Sequence, residues 1–170
     1  MKYKEIIINT KLELPYRLID IAESGEQFIF QFNEFDDGQT DYSVSMTGVT
    51  GKFGIVYIGK GLNCNFSCDI TIGNVRDFLI ALENAYDNMN GRKAVLENYG
   101  SLLNRTYLSV VFGKKGNCEM TGNFLNKDNF YQSGISFSFS LDQTYISDML
   151  RRMDIFFEEL YRIQGHNKYY

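Results

Sequence analysis

The chain has almost no histidine. His166 is the only one, and it stands near the end of a 170-residue sequence. Ser-His-Asp and Cys-His arrangements need an imidazole held in place by a third group. A histidine in a terminal tail that frays is not held in that way. Zinc, copper and non-haem iron sites built on pairs of histidines are excluded by the count. Tryptophan is absent and proline occurs once, at Pro15, so long extended linkers are not expected. Basic residues are not in excess either. The net charge is −4, whereas binding to nucleic-acid phosphates calls for a basic surface. The excess is local: residues 1–72 carry 6 Lys/Arg against 10 Asp/Glu, and residues 73–170 carry 11 against 11.

Long apolar runs are missing as well. Ile6 to Ile8 is far shorter than the roughly 7–15 residues of a signal-peptide core. Nothing approaches the ~20 apolar residues that span a bilayer. The expected location is the cytoplasm, with no membrane contact. Phosphate loops are lacking too. None of the 15 glycines falls in a G-x-G-x-x-G or G-x-x-x-x-G-K-[ST] pattern, and Lys114 and Lys115 lie between glycines at a hairpin tip. No cofactor is expected.

Aromatic residues are plentiful. The 14 Phe and 12 Tyr argue for an ordered, packed chain, and 170 residues suit one domain. The first seventy residues read as a β meander, with candidate strands at 3–9, 17–22, 27–35, 42–47, 51–58 and 62–72. Turn signals separate them at Ser24-Gly25, Asp37-Gly38, Gly48 and Gly59 to Gly61. In the stretch from Leu62 to Ile72 the apolar residues fall at 62, 64, 66, 68, 70 and 72, the period of a half-buried strand. Cys64 and Cys68 then share one face about 13 Å apart at ~3.3 Å per residue. A disulfide needs Cα atoms within about 7 Å, so the two do not pair with each other. Cys118 alternates with Met120 in the same way. Buried free thiols are the expectation, since a zinc site needs a fourth ligand and closer spacing.

From Asn74, a fair N-cap, Val75, Phe78, Leu79, Leu82, Tyr86 and Met89 recur at helical spacing as far as Gly91. Residues 94–99 suit a short helical turn or an irregular link. Strands follow at 105–112, 117–124 and 134–141. In the last of these, Ile135, Phe137, Phe139 and Leu141 alternate with serines, which fixes the register. A final helix runs over about 144–164, and Asp142 or Thr144 can cap it. No internal repeat is visible. The fold class is α+β: mostly antiparallel β-sheet of about eight or nine strands, with two amphipathic helices, about 74–90 and 144–164, packed on it. One domain over 1–170 is expected, made of a meander over 1–72, a helix-βββ-helix unit over 73–165 and a frayed tail over 166–170.

Chemistry-bearing groups are few. Glu34, Asp36, Asp37 and Asp41 cluster in one segment. An EF-hand loop starting at Asp36 would need a glutamate at its twelfth position, where Thr47 stands. The segment reads as a solvated hairpin or a charged loop for binding a partner, with Tyr42 beside it. A catalytic carboxylate pair would have to converge in a cleft.

The block Phe137-Ser-Phe-Ser-Leu-Asp-Gln-Thr-Tyr145 before an amphipathic helix resembles the C-terminal part of WapI-type immunity proteins. A second match is the helix Val75-Arg-Asp-Phe-Leu-Ile-Ala-Leu82, followed by Gly91, the link Ala94-Val-Leu-Glu-Asn-Tyr99 and a strand pair containing Gly113 and Gly116. Together these cover about residues 70–163. The resemblance implies a cytoplasmic, non-catalytic protein that binds and neutralises the C-terminal toxin domain of a large secreted polymorphic toxin. Many such toxins are nucleases with basic clefts, so Glu34, Asp36, Asp37 and Asp41, with Tyr42 nearby, are the expected contacts. The other reading is a β-rich binding or scaffold domain, such as a carrier of an apolar small molecule in the hollow of a curved sheet.

Overall fold

Alternation of apolar and polar residues, interrupted by glycine turns, folds the chain into two four-stranded antiparallel meanders. The computed structural model describes residues 11–35, 49–89, 91–99, 105–113, 117–127 and 132–163. The first sheet has the order β1 (Tyr16–Glu23), β2 (Glu26–Phe35), β3 (Thr50–Gly59) and β4 (Leu62–Thr71), and runs into helix α1 (Ile72–Asn88). The second has the order β5 (Lys93–Tyr99), β6 (Arg105–Phe112), β7 (Cys118–Lys127) and β8 (Gln132–Leu141), and runs into helix α2 (Gln143–Ile163). The unit ββββα therefore occurs twice. This repeat is one of topology; residue by residue the two halves do not correspond, which is why it is invisible in the sequence.

The α+β class and the two amphipathic helices match the sequence reading, and the strands divide between two sheets. Residues 94–99 are a strand, not a helical turn or link. Their full-length pairing with β6, from Lys93 opposite Val111 to Tyr99 opposite Arg105, decides this. Ala94, Val95 and Leu96 carry no alternation that could have shown it. Ile72 opens α1 instead of ending β4. Asn74 is not its cap, because the side chain of Asn74 is turned toward β5. The candidate strands at 3–9 and 42–47 and the tail from 166 lie outside the described residues.

Two tight turns set the register of the first sheet. Ser24 and Gly25 have φ of 51° and 80°, and Lys60 and Gly61 have 51° and 76°. Both central residues at positive φ is the requirement of the two-residue hairpin turn that matches strand twist.

The sheets bury their inner faces against each other. Phe28 of β2 meets Phe137 of β8 at 4.3 Å between ring centroids, and Phe124 of β7 at 5.9 Å. Tyr57 of β3 stacks on Phe137, and Phe66 of β4 meets Phe124 edge-on. Each helix packs chiefly on the sheet of the other half, α1 on β5 and α2 on β1, and the two helices also touch. Phe156 of α2 sits among Phe32 and Tyr16, and the Tyr16 hydroxyl donates to the carbonyl of Arg152. Phe28, Phe53, Phe78, Phe112 and Phe156 are fully buried in one cluster that runs through both halves. Ring pairs of this kind add about 0.5–1.5 kcal/mol each beyond their burial.

A buried polar residue joins the halves. Asn98 of β5 donates from Nδ2 to the carbonyl of Asp69 at 3.0 Å, while its Oδ1 accepts from the N–H of Thr71 at 3.4 Å and from Nδ2 of Asn74 at 3.1 Å. Asn74 also donates to the carbonyl of Glu97. Thr71 makes no side-chain cap bond of its own at the start of α1. The second half thus supplies polar partners for the β4–α1 junction. Near the other end of the chain, Glu159 of α2 accepts from the N–H of Lys11 and from the Arg162 guanidinium. The Arg162 bond is the main reason its carboxyl is held down at about 2.

Three outcomes follow. Gly122 lies under the Phe137 ring, which would collide with an added Cβ and is itself hemmed in by Phe28, Phe124 and Tyr57. Gly122→Ala is expected to cost about 1–3 kcal/mol of overpacking, read as a lower urea midpoint. Asn98→Ala leaves the buried partners at the junction unsatisfied and is expected to cost about 1–3 kcal/mol in the same measurement. The third concerns acid. The folded pKa of Glu159, about 2, lies below the ordinary glutamate value of 4.5. Its stabilisation is therefore complete above pH 4.5 and fades as pH falls toward 2. Glu159→Gln should be less stable than wild type at pH 7, with the gap closing across that window in pH-dependent thermal melts.

Candidate functional site

Of the five residues expected to contact a partner, the structure describes one. Glu34 sits near the end of β2, just past a bulge between Phe32 and Glu34, and pairs with Lys52 of β3 in register. Its carboxylate lies 3.0 Å from the Lys52 ammonium, and its side chain is 45% exposed. Asp69 of β4 is the next residue in the same row, opposite Lys52. Two carboxylates therefore flank one lysine on the outer face of the first sheet. Asp36, Asp37, Asp41 and Tyr42 lie outside the described residues, in the segment that continues from β2.

Period-two alternation puts the remaining outward residues on this same face. Gln27, Gln31, Asn33, Asn63 and Asn65 make it rich in neutral amides, with the Ser67 hydroxyl among them. Gln31 donates to Asn33 and Gln27 to Asp20. Such side chains offer both donors and acceptors to an approaching protein surface.

At the opposite end of the first sheet the two tight hairpins lie side by side. An open cleft of about 360 Å³ there is lined by residues 22–27 and Ile58. Glu26 accepts from the Tyr57 hydroxyl at 2.6 Å and lies 2.6 Å from the Lys60 ammonium. Lys60 and then Tyr57 hold the Glu26 carboxyl below its usual range. In return, the bond to Glu26, with burial, pushes the Tyr57 phenol up to about 12. Across the hairpin, Glu23 accepts from the Tyr145 hydroxyl, which also donates to the carbonyl of Ala22 at 2.7 Å. Burial and then Glu23 raise the pKa of Tyr145.

A proton-transfer group works best with a pKa near the working pH. Glu26 and Tyr57 are driven away from it in opposite directions. The cluster is thus a fixed set of charges and hydroxyls that can bind but is poorly matched to acid–base chemistry. Its members were not found from the sequence. Both turns were legible there, but their adjacency comes from the pairing of Gln27 with Ile58, and Tyr145 arrives from the far end of the chain.

The same contacts account for the word Asp142-Gln-Thr-Tyr145. Asp142 accepts from the N–H of Thr144 at 2.8 Å at the start of α2, and Tyr145 fastens that helix to β1. None of the three cysteines is joined in a disulfide. Cys64 and Cys68 are half-buried and Cys118 is buried. Burial pushes the Cys68 thiol up to about 11 and raises Cys118 as well, the opposite of an activated thiolate. Among the described residues no group of three His, Cys, Asp or Glu side chains is placed to hold a metal, and no helix is long and apolar enough to cross a membrane. Packed rings occupy the space between the sheets where a carrier would hold an apolar ligand.

No family model matches the chain, and no curated protein sequence does. Among solved structures, the plant transcriptional regulator PBF-2 is similar, with a TM-score of 0.52 over 91% of this chain and 87% of that one, at 6% sequence identity. At that identity the likeness establishes a shared fold and nothing of activity.

Proposed function

We propose that this protein is a cytoplasmic, non-catalytic immunity protein that binds and neutralises the C-terminal toxin domain of a secreted polymorphic toxin. The observation that carries the reading is the carboxylate row on the outer face of the first sheet. Glu34 and Asp69 flank Lys52 there, next to the point where the chain enters the segment holding Asp36, Asp37 and Asp41. A broad amide-bearing face with an acidic end suits a protein partner that carries a basic cleft. The resemblance over residues 70–163 names the class of partner. The fold likeness to a transcriptional regulator does not argue for nucleic acid, because the net charge is −4 and the exposed carboxylates would repel phosphates.

The test uses the C-terminal domain of a large secreted protein encoded beside this gene. That domain should co-purify with the chain and lose its toxicity on co-expression. Replacing Glu34, Asp36, Asp37 and Asp41 together by their amides should slow association by about tenfold or more at low salt, with a smaller effect at high salt. Unchanged binding and protection in the quadruple variant would rule out the acidic contact.

A further inference from the structure

The cleft at the hairpin end of the first sheet combines an apolar wall with an uncompensated carboxylate. Ile58 lines it and is 43% exposed. Ile58 pairs with Gln27, a second lining residue, so the cleft shares residues with the outer face that carries Glu34, Lys52 and Asp69. Lys52 and Ile58 stand at opposite ends of β3, roughly 20 Å apart at ~3.3 Å per residue. A standard interface takes about 20–30 residues a side, so one partner can cover both. At about 360 Å³ the cleft is at the lower end of the roughly 300–1,000 Å³ of ligand pockets, and it suits a single long side chain.

The two carboxylates of the cleft differ in what they already hold. Glu26 is compensated, with the Lys60 ammonium 2.6 Å away and the Tyr57 hydroxyl donating to it. Glu23 has neutral partners. Its Oε1 accepts from the Ser24 hydroxyl at 3.3 Å and its Oε2 from the Tyr145 hydroxyl at 3.2 Å. Among the described residues no ammonium or guanidinium is paired with it. A carboxylate has about four lone-pair sites, two on each oxygen. The hydroxyls take one on each oxygen, fix the orientation of the group and leave one acceptor site on each. Two parallel acceptor sites are what a guanidinium binds in bidentate fashion. Strand pairing also sets Glu23 directly opposite Glu26, an arrangement that costs stability when the charges are alike. Lys60 answers one of the two charges, and an incoming cation would answer the other.

We infer that the cleft receives an arginine of the toxin domain, with its apolar stem along Ile58 and its guanidinium on Glu23. The inference deepens the function proposed above and rests on it. Arginine fits better than lysine, because its planar fork matches both acceptor sites and it is the more weakly hydrated cation. Its methylene stem covers apolar surface while the charged head stays polar. Arginine is also among the residues that carry most of the energy of an interface, and a toxin domain with a basic cleft has such a residue to offer. The acidic segment then steers the encounter, and the seated arginine slows dissociation.

The test is surface plasmon resonance of the full chain against the C-terminal domain encoded beside its gene. Glu23→Gln keeps an oxygen for the Tyr145 hydroxyl, and Ile58→Thr keeps a branched side chain suited to a strand. Both variants should melt as wild type does and dissociate about tenfold faster or more, with association changed by about twofold at most. Replacing Glu34, Asp36, Asp37 and Asp41 should give the opposite pattern, slower association. Single arginine-to-alanine substitutions across the toxin domain should include one whose effect is not additive with that of Glu23→Gln. Wild-type dissociation in both variants would overturn the inference and leave the proposed function standing. So would a scan in which every arginine is additive with Glu23→Gln. A wild-type chain that does not bind the domain overturns the proposed function, and the inference with it.

Discussion

Everything in this fold depends on the contact between two aromatic faces. A four-stranded meander has one face that it cannot cover by itself. Here the first sheet turns Phe28, Tyr57 and Phe66 toward Phe124 and Phe137 of the second. Phe137 is the centre of that contact, and Gly122 is glycine because the ring passes directly over it. The helices then close what the sheets leave open, each on the sheet of the other half.

Interleaving of this kind makes the halves interdependent. Asn98, a residue of the second sheet, supplies hydrogen bonds at the junction where the first sheet becomes a helix. Tyr145, at the start of the last helix, is fastened to the first strand. A polar group buried at such a joint contributes specificity as much as energy, because any other docking of the halves leaves it unsatisfied.

The outward surfaces follow from the same constraint. With both inner faces committed to the core, the outer face of the first sheet remains available, with its amides and its carboxylate row. At the hairpin end the Glu26 carboxyl is held low and the Tyr57 phenol high, each away from a proton-transfer midpoint. Chemistry of that kind is suited to holding a surface in shape and recognising another one.

The sequence by itself determined the periodicities: the alternation of β4 and β8, the helical stripes of α1 and α2, the glycine turns and the absence of a held histidine. These are local properties, set by residue type and spacing over a few positions. It could not show that residues 94–99 form a strand, because three apolar residues in a row suit several conformations until β6 pairs alongside. Nor could it show the doubled ββββα plan, the crossing of each helix to the opposite sheet, the meeting of Glu26 with Tyr57 and Lys60, or that of Glu23 with Tyr145. Of the acidic segment it marked as a site, Glu34 is placed on an exposed sheet face beside Lys52. Those features were decided by tertiary structure alone, since contacts between residues distant in the chain are selected by how whole faces fit, and no short stretch of sequence records that fit.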